Sequence, residues 1–495
     1  MKRERAAILA AALLPAGCAV GPVYTRPSAP VPPAFKEAPP PGQRPEDWKT
    51  AEPRDAAARG KWWEVFGDPE LNALEEQVDA ANPELARAEA VFREARAVAR
   101  GARADLFPTV TGGASVSRAR RAGSNAPPAT STVYQVPFDL SWEADVFGRI
   151  RRNVEANVTA AQASAGDREA VRLSLHAELA ADWLQLHGLD AQKALLDTVV
   201  AGDATALQLT RNRHDQGVVS GVDVAQAETQ LETTRVEATD LEVARARLEH
   251  AIAILVGRPP SELTIPPAPL QTTPPPIPAA LPSELLERRP DVAAAERRVA
   301  GANAQVGVAT AAFFPRLLLA ASGGWQGNAL SGLFSLPNRF WSIGPSVVET
   351  LFSGGKRRAA VEQARAAYDA AVAAYRQSVL GALQEVEDGL AASRILDQEA
   401  EQEAVAVAAS ERLLSLARTR YQGGITTYLE VVVAQNSALA NQRAAVDLLT
   451  RRMTASIDLV KALGGGWDAS MLPSAGAVLS RGSGAETKPE PTVRP

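Results

Sequence analysis

Residues 133–212 constrain the fold of this chain more than any other stretch. From Tyr134 to Trp142, apolar side chains alternate with polar residues or proline. Alternation at a period of two predicts a β-strand with one apolar and one polar face. Residues 149–212 then contain no proline and only three glycines, which predicts a single helix about 95 Å long. The strand alone would also fit the edge of a soluble sandwich, but a strand that leads into so long a helix is not a usual globular pattern.

The second constraint is an internal duplication. Five landmarks recur at one offset, which is 290 − 83 = 207 for the first of them. The matched pairs are Pro83 and Pro290, Pro108 and Pro315, Arg149 and Lys356, Gly217 and Gly424, and Gly257 and Gly464. A constant offset predicts two structural repeats, 62–257 and 283–467, each much longer than the units of a solenoid. Each repeat is expected to hold a helix, two strands, a very long helix, a glycine-containing turn and a shorter return helix.

Four strands are predicted, two in each repeat. Their ranges are 108–121, 132–146, 315–326 and 340–352, and the glycine-, asparagine- and proline-rich segments between paired strands fit hairpin tips. Four strands cannot close a membrane barrel, because about eight is the practical minimum and open strand edges are not tolerated in lipid. If the strands span a membrane, several chains must therefore share one barrel, whose polar inner faces line a water-filled lumen.

The helical segments carry apolar residues at spacings of three and four. In the second long helix, Val372, Val379 and Val386 follow one another at intervals of seven residues. This narrow apolar seam, with many small alanines, favours close helix packing of the coiled-coil type. A soluble antiparallel bundle would show the same pattern. The strands and the duplication, rather than the helices, therefore point to a membrane channel.

The N-terminus predicts secretion and lipid attachment. Three basic residues within the first five precede an apolar run, 6–14, which fits a signal peptide over residues 1–17 and is too short to span a bilayer. The only cysteine, Cys18, follows in a context that resembles the lipobox of bacterial lipoproteins, although Pro15 replaces the usual leucine. Cys18 is thus the predicted lipidation site, with a free thiol as the alternative. Because Ala19 is not aspartate, resemblance to enterobacterial lipoproteins favours outer-membrane delivery.

Three segments are predicted to lie outside the packed body. Residues 18–61 are a proline-rich leader, interpreted as an extended tether between the lipid anchor and the body. Residues 258–282 hold ten prolines and are predicted to link the repeats. Residues 468–495 are rich in glycine, serine and proline and are predicted to be disordered.

Composition and motifs argue against several function classes. A formal net charge of −5 gives no case for a nucleic-acid partner. Histidines stand at positions 176, 187, 214 and 250, in helical stretches without the spacing of metal ligands. The sequence has no GxSxG or other Ser/His/Asp motif and no P-loop. The chain is therefore predicted not to be an enzyme and to need no cofactor or metal.

Several longer motifs together resemble one family. They are the leader Cys18–Pro27, the segments Trp62–Leu71 and Glu287–Val292, the strand Trp341–Ser346, the turn Phe352–Gly355 and the segment Arg420–Gly424. With these motifs, the sequence is similar over almost the whole mature chain to the TolC-like outer-membrane efflux channels, in their NodT/OprM-type lipoprotein branch. The resemblance implies an α+β membrane channel. In it, four strands per chain join a trimeric 12-stranded outer-membrane β-barrel, which a long periplasmic α-helical barrel continues.

The resemblance also implies a function and partners. It describes a passive exit duct that exports drugs or other small molecules, docks on a periplasmic adaptor protein and draws its energy from an inner-membrane pump. A protein-secretion channel would have the same architecture, because specificity in such systems lies mainly in the pump. A non-porous coiled-coil lipoprotein is a further alternative, against which the alternating strands and the duplication argue.

In this family the helix–turn–helix tips close the periplasmic end of the tunnel. By motif position, the resemblance assigns gate roles to Arg420, Tyr421 and Glu430, with Asp223 as the first-repeat equivalent of Glu430. Arg213, which begins the first tip, and Val433 complete the predicted set. Carboxylates at a constriction would favour cations, whereas helix capping or solvated charge is the simpler interpretation of the same residues. Family members often carry a second acidic residue where this chain has Val433. We therefore expect a gate that combines packing at Val433 with the charge of Glu430.

A second candidate set is basic and repeats at the same offset. It comprises Arg149, Arg151 and Arg152, with their counterparts Lys356, Arg357 and Arg358. Positive charge at the start of a helix opposes the helix dipole. A layer of membrane phosphates at the strand-to-helix junction would account for the set, and ordinary solvated charge is the alternative.

Overall fold

The computed structural model describes residues 19–37, 60–121, 129–268, 270, 274–275 and 285–480. Its helices are α1 (Pro69–Ala81), α2 (Pro83–Ala104), α3 (Arg149–Asp215), α4 (Gly221–Leu255), α5 (Leu285–Arg288), α6 (Pro290–Ala311), α7 (Lys356–Gln422), α8 (Tyr428–Ala462) and α9 (Ala475–Leu479). Its strands are β1 (Thr109–Gly112), β2 (Ser115–Arg121), β3 (Ala129–Ala144), β4 (Arg316–Gly327) and β5 (Arg339–Val348). The predicted signal peptide, the lipidation site Cys18 and the last fifteen residues of the predicted tail, 481–495, lie outside the described residues.

The 207-residue offset recurs in the helices. The long helices α3 and α7 each have 67 residues, and the return helices α4 and α8 each have 35. At about 1.5 Å per residue, each long helix extends for roughly 100 Å. Both begin directly after a glycine with positive φ, Gly148 at 81° and Gly355 at 89°, a conformation that other residues rarely adopt. No helix in the described ranges is both long and apolar enough to cross a bilayer.

The strands form one antiparallel sheet in the order β1-β3-β4-β5, with β2 also paired to β3. β1 and β2 follow a single register along β3, so the strand predicted at 108–121 is present but interrupted. The break lies opposite Pro137, whose carbonyl accepts from the Gly113 N–H at 3.1 Å. Proline has no N–H to return a second bond, which accounts for the interruption. The other strands differ from the prediction only at their ends, most at β5, which stops at Val348 rather than at residue 352.

The sheet has two chemically different faces, because directly opposed residues of an antiparallel pair share a face. We name one the apolar face; it carries Val110, Phe138, Leu140, Trp142, Leu317, Leu319, Trp325, Trp341, Ile343 and Val347. The polar face carries Thr109, Thr111, Gln135, Asp139, Ser141, Ser322, Gln326, Ser342 and Ser346. In the single chain Trp341 is 75% exposed and Ile343 is 77% exposed. Exposed apolar surface of this extent marks a contact with membrane or protein.

The main hydrophobic core lies around α3, near its middle. The 3₁₀ turn Trp62–Phe66 buries Trp63, and this turn packs with Leu179 and Trp183 of α3. Met453 of α8 completes the same cluster, so both repeats contribute to it. The core thus fixes the two helix hairpins, α3–α4 and α7–α8, side by side.

The N-terminal leader packs on the second repeat. Phe35 is 6% exposed and belongs to a cluster with Val299 of α6 and Tyr375 of α7. The carbonyl of Pro22 accepts a hydrogen bond from the Asn303 side chain at 3.2 Å. The described part of the leader, 19–37, therefore packs on the body along its length, which the prediction of an extended tether did not include.

The C-terminal segment packs on the first repeat. Val478 of α9 is fully buried in a cluster with Ala99 of α2 and Val158 of α3. The Arg96 guanidinium donates to the carbonyl of Ala477 at 3.1 Å. The predicted disorder from residue 468 is therefore wrong as far as residue 480. Composition alone could not show that one valine fits between two helices.

Candidate functional site

Both helix hairpins end in the same type of turn. We name residues 213–223 the first tip and residues 420–430 the second tip. In each, a glycine with φ of 73°, Gly217 or Gly424, follows the long helix. The next N–H donates to the carbonyl of the arginine that opens the tip, at 2.8 Å in the first tip and 2.9 Å in the second. This glycine-terminated helix end satisfies backbone carbonyls that the helix leaves free.

Arg213 of the first tip lies on the second tip. Its guanidinium carbon is 5.0 Å from the centre of the Tyr421 ring, which is a cation–π geometry. The same group donates to the carbonyl oxygens of Tyr421 at 3.4 Å and of Gln422 at 3.3 Å. Both carbonyls lie at the C-terminal end of α7, beyond the regular helical pattern, and that of Tyr421 also accepts from the Gly424 N–H at 3.0 Å. The structure thus brings two of the predicted gate residues together, in a contact between the repeats.

Two tyrosines form the centre of this contact. The rings of Tyr421 and Tyr428 are 5.4 Å apart, and these residues are only 8% and 1% exposed. They pack with Leu207 and Leu231 of the first repeat. Burial, together with the nearby Asp203 carboxylate, raises the pKa of the Tyr428 hydroxyl to about 12. The sequence motifs did not single out Tyr428, although a tyrosine at the start of a tip helix, in a chain with six tyrosines, was a usable signal.

The other predicted tip residues are placed differently. Asp223 accepts hydrogen bonds from the N–H and the hydroxyl of Ser220, both at 3.0 Å, so it caps the start of α4. Glu430 lies 3.9 Å from Arg420, and these side chains are 54% and 56% exposed. Val433 is 60% exposed on α8. Asp223 therefore has a local structural role, while the other three side chains face solvent in the single chain.

The sequence motifs also did not identify a buried carboxylate that lies behind the tips. Asp203 of α3 is 1% exposed and accepts hydrogen bonds from the Thr234 hydroxyl at 3.1 Å and from the Gln435 amide. Burial raises the pKa of Asp203, against the effect of these two donors. The available signal was its place between Val200 and Leu207, at the spacing of an apolar helix stripe. The network joins α3, α4 and α8.

Most of the predicted basic set is paired with carboxylates of the same chain. Arg149 forms two hydrogen bonds to Glu143, at 3.0 and 3.1 Å, and Arg151 pairs with Asp145 at 3.1 Å. Arg152 pairs with Glu155 and Arg357 with Glu349, both at 2.8 Å. The Asp145 carboxylate also accepts two backbone N–H bonds at the start of α3, which places a negative charge at the positive end of the helix dipole. Membrane phosphates are therefore not needed to neutralise these four arginines.

Within the described ranges, no group of three or more acidic, histidine or cysteine side chains has the geometry of a metal site. His176 lies instead between two carboxylates of α1, with Nδ1 2.5 Å from Glu75 and Nε2 3.2 Å from Asp79. Its ring stacks on Trp63, with centroids 4.3 Å apart. Burial raises the pKa of Glu75 to about 7. Burial alone would lower the pKa of His176, but the two carboxylates outweigh it and raise that pKa.

A match to a family model identifies the chain. The family described as outer membrane efflux protein matches residues 74–258 and 281–465. These two segments are again 281 − 74 = 207 residues apart. The chain belongs to the outer membrane efflux protein family.

Individual relatives of this efflux protein agree with the family. Outer membrane protein OprJ of Pseudomonas aeruginosa is 34% identical over 466 residues, which cover 92% of this chain and 95% of OprJ. Antibiotic efflux pump outer membrane protein ArpC of Pseudomonas putida is 30% identical over 473 residues, which cover 94% and 96% of the two chains. The solved outer-membrane channel OprN superposes with a TM-score of 0.83 at 33% identity, covering 91% of this chain and 100% of that one.

The predicted family, location and role are confirmed by these matches. This efflux protein is an outer-membrane exit duct that extends into the periplasm, and its family is one of channels rather than of enzymes. Its single-chain architecture is the expected one, with long helices that continue from a small antiparallel β domain. The residue roles at the tips and at the strand-to-helix junction remain predictions.

Proposed function

We propose that this efflux protein works as a homotrimer in which three sheets close into one 12-stranded barrel. The observation that carries the proposal is the sheet, whose apolar face is exposed and whose outer edges are unpaired within the described chain. Unpaired N–H and C=O groups are costly in lipid, so β5 of one chain needs the β1–β2 edge of another. Three chains reach a strand number above the practical minimum of about eight. The apolar face then contacts lipid, and the polar face lines the lumen.

The four long helices of each chain continue this duct as a 12-helix tunnel. The tips at its far end present exposed apolar side chains, with Val218 at 67% and Ile425 at 71%. A groove of about 300 Å³ between α4 and α8 is lined by Val222, Leu429 and Val432, among others. Exposed apolar surface of this kind suits a protein partner. In the proposal a periplasmic adaptor docks there, and an inner-membrane pump supplies the energy.

Lipidation of Cys18 agrees with the position of the residues that follow it. The Val20 N–H donates to the Phe147 carbonyl at 3.1 Å, and Ala19 lies against Gly148 at the start of α3. The leader therefore begins at the strand-to-helix junction, which is where the inner surface of the membrane would lie. Acyl chains on Cys18 would enter the same leaflet, with about 0.8 kcal/mol for each buried methylene.

The two members of the basic set that have no ion-pair partner among the described residues lie at the same level. Lys356 and Arg358 are exposed at the start of α7. Basic side chains beside an anionic lipid surface each contribute about 1 kcal/mol of attraction. We therefore assign contact with lipid phosphates to these two residues and not to the four arginines held by internal carboxylates.

The second tip is the proposed gate. Arg420, Glu430 and Val433 face solvent in the single chain and would approach their copies near the trimer axis. Arg213 and Tyr421 hold the tip against the first repeat from behind. A ring of three valines is a hydrophobic constriction, which closes by excluding water rather than by selecting ions.

Two measurements on the purified full-length protein test the architecture. In detergent, light scattering should give a particle with three chains, and in a planar bilayer the particle should conduct. The physical reason is that neither the sheet edges nor the apolar face can be satisfied by one chain. A stable monomer that stays in solution without detergent would overturn the proposal.

The gate is tested by Val433→Asp, with Gln226→Asp as the matched control. Gln226 is the first-repeat counterpart of Val433, since 433 − 226 = 207. Three carboxylates at a narrow point hydrate it and attract cations, so Val433→Asp should raise open probability and cation selectivity in bilayer recordings. The control should change both less. If Val433→Asp leaves both unchanged, Val433 is not part of the constriction.

The proposed cargo is drugs and other small molecules. ArpC, whose name states antibiotic efflux, is similar over 94% of this chain. Deletion of the gene should lower resistance to some members of a panel of toxic compounds, and an affinity-tagged copy should restore it. Adaptors that co-purify with the tagged copy identify the pump system. Unchanged resistance across a broad panel would remove small-molecule export from the proposal.

A further inference from the structure

The outer end of the sheet carries a concentration of positive charge that the duct function does not use. Residues 109–138 and 317–348 contain no Asp or Glu, and their only basic residues are four arginines. These are Arg118, Arg120, Arg121 and Arg339. All four stand beside the hairpin loops, at the end of the sheet that is remote from the long helices. Each chain therefore places four positive charges and no negative charge at this end.

The strand register assigns three of these arginines to the apolar face. Their directly opposed partners are Thr132 for Arg118, Thr130 for Arg120 and Trp325 for Arg339. Even-numbered residues of β3 share a face, because side chains alternate along a strand, so Arg118 and Arg120 lie on the same side as Phe138. Arg118 and Arg120 thus continue outward the surface that the proposed barrel turns to lipid, and Arg339 lies on that surface level with Val136.

The spacing along β3 fits the height of a membrane. Trp142, at the inner end of the apolar face, is ten residues from Thr132, the partner of Arg118. Ten residues span about 33 Å along a strand, or roughly 25 Å of height at the usual tilt of about 40°, which is the height of the apolar band in outer-membrane barrels. Tyr134 and Trp325 lie on the same face in its outer half, as in an aromatic girdle, and Trp341 lies level with Phe138 near the middle.

The outer arginines are also electrostatically different from those at the inner junction. Arg118, Arg120 and Arg339 are exposed, and none of their guanidinium groups has an ion-pair or hydrogen-bond partner among the described residues. At the inner junction, by contrast, Arg149 and Arg151 are held by carboxylates of their own chain. A cluster of like charges without internal counter-charges is stabilised by an external anion.

We propose that Arg118, Arg120 and Arg339 form a collar that binds the phosphate groups of lipid headgroups in the outer leaflet. The inference rests on the proposed barrel, which turns the apolar face to lipid. Guanidinium groups match phosphate oxygens with two parallel hydrogen bonds. Below the collar, a shallow apolar groove of about 340 Å³, lined by Val110 and Trp341 among others, offers a surface for acyl chains. Charge beside an apolar groove favours a phosphorylated lipid over a free anion.

The test uses full-length protein in detergent, titrated with lipid A that carries two phosphates and with the same lipid A after removal of its phosphates. Native mass spectrometry counts the lipids retained per particle. Arg118→Gln, Arg120→Gln and Arg339→Gln combined should lower retention of the phosphorylated lipid by about tenfold or more, because each basic residue contributes about fivefold. The corresponding Arg→Lys variant should keep most of it. The dephosphorylated lipid should bind equally weakly to wild type and to the glutamine variant.

A matched control removes the same charge from the periplasmic helices. Arg93→Gln, Arg247→Gln and Arg412→Gln replace three other exposed arginines and should leave lipid A retention unchanged. Retention that is equal in wild type and in the collar variant, or equal with and without phosphate, would overturn the inference. If the combined variant does not assemble, the single variants Arg118→Gln, Arg120→Gln and Arg339→Gln decide instead, since each should lower retention of the phosphorylated lipid by about fivefold. Bilayer conductance separates the two proposals, since a collar variant that conducts but binds lipid normally contradicts only the collar.

Discussion

The two tips have the same backbone conformation at their glycine turns but differ in the hydrogen bonds that cap the helix that follows. In the first tip, Asp223 and Ser220 close the helix start within the tip itself. Their second-repeat counterparts, Glu430 and Thr427, make no such cap, and Glu430 lies at 3.9 Å from an exposed arginine instead. The hydroxyl of Thr426 is buried without a hydrogen-bond partner among the described residues. The second tip therefore leaves more of its hydrogen-bonding groups without partners in the described chain than the first tip does.

The second tip depends on contacts with the first. Its two tyrosines, Tyr421 and Tyr428, correspond to His214 and Gly221 in the first repeat, since 421 − 214 = 207. Only the second repeat thus carries aromatic side chains that can bury themselves against the neighbouring hairpin, and only the first supplies the arginine that covers them. The two repeats share the turn but not these side chains. The difference agrees with the proposal that the second tip, and not the first, is the one that opens.

The largest expected effect comes from Tyr428→Ala. A buried aromatic residue replaced by alanine costs about 3–5 kcal/mol, through lost transfer energy and a cavity. The loss should be local to the second tip, because the main core around α3 does not contain Tyr428. Hydrogen exchange should therefore become faster in residues 420–433 than in residues 213–226, and bilayer recordings should show more frequent opening.

The control for that variant is Val222→Ala in the first tip. Val222 is 65% exposed, so its truncation should change stability by less than about 0.5 kcal/mol. Equal hydrogen-exchange rates in the two tips of Tyr428→Ala would show that burial of Tyr428 does not stabilise the second tip more than the first.

The matched pair Arg213→Ala and Arg420→Ala sharpens the comparison, because the two arginines occupy equivalent positions. Arg213 makes a cation–π contact and two hydrogen bonds to helix-end carbonyls, so its loss should cost about 1–2 kcal/mol. Arg420 makes one exposed ion pair at 3.9 Å, and such pairs contribute about 0–1 kcal/mol. Hydrogen-exchange rates in the second tip of each variant measure the two losses of stability.

The same pair of variants also tests whether the stability of the second tip controls channel opening. Arg213→Ala should raise the open probability more than Arg420→Ala does, since it removes the contact that holds the tip. A larger effect of Arg420→Ala on both readouts would mean that contacts between chains, and not the contact between repeats, keep the tip closed.

The smallest predicted effect concerns pH and a second difference between the repeats. His176 corresponds to Leu383, since 383 − 176 = 207, so a charged cluster in one repeat replaces an apolar contact in the other. Burial raises the pKa of Glu75 from 4.5 to about 7, and the pKa of His176 also lies above its usual 6.5. Both groups bind a proton more tightly in the folded chain. Their contribution is complete below the unfolded values and is lost as the pH rises through the folded ones.

Stability of the contact between α1 and α3 should therefore fall as the pH is raised from about 5 to 7, by at most roughly 1.4 kcal/mol per pH unit for each proton released. Asp79 does not oppose this trend, because its pKa is lowered to about 2 and its contribution is lost only in strong acid. The midpoint of thermal unfolding, measured across this range, checks the slope. Glu75→Gln should flatten it, whereas Glu430→Gln, at an exposed site, should not. A wild-type slope of the opposite sign would contradict the assignment.

Much of the architecture could be predicted because it depends on local chemistry. Gly148 and Gly355 mark the strand-to-helix turns, since only glycine readily adopts their positive φ. The alternation from Tyr134 to Trp142 predicted the two faces of the sheet. What could not be predicted is contact between distant segments. Val478 was assigned to disorder because nothing near it in sequence shows the space between α2 and α3 that it fills.

The candidate site also has a part that local sequence predicted and a part that depends on contacts between distant segments. The tips were located by their repeated glycines, but the partners of their side chains were not. The carboxylates beside Arg149 and Arg151 were already close in sequence, yet their ion pairs depend on how the chain turns between β3 and α3. Asp203 and Tyr428 act through residues that are far away along the chain.

The sequence by itself determined the duplication, the long helices, the two-faced strands and the turns between them, because each follows from the conformational preferences and periodicity of neighbouring residues. Only the tertiary structure decided that Arg213 covers a tyrosine of the other repeat, that opposite termini cover opposite repeats and that the inner arginines are neutralised from within. Those contacts join segments up to hundreds of residues apart, and their energies depend on distances that no local pattern encodes.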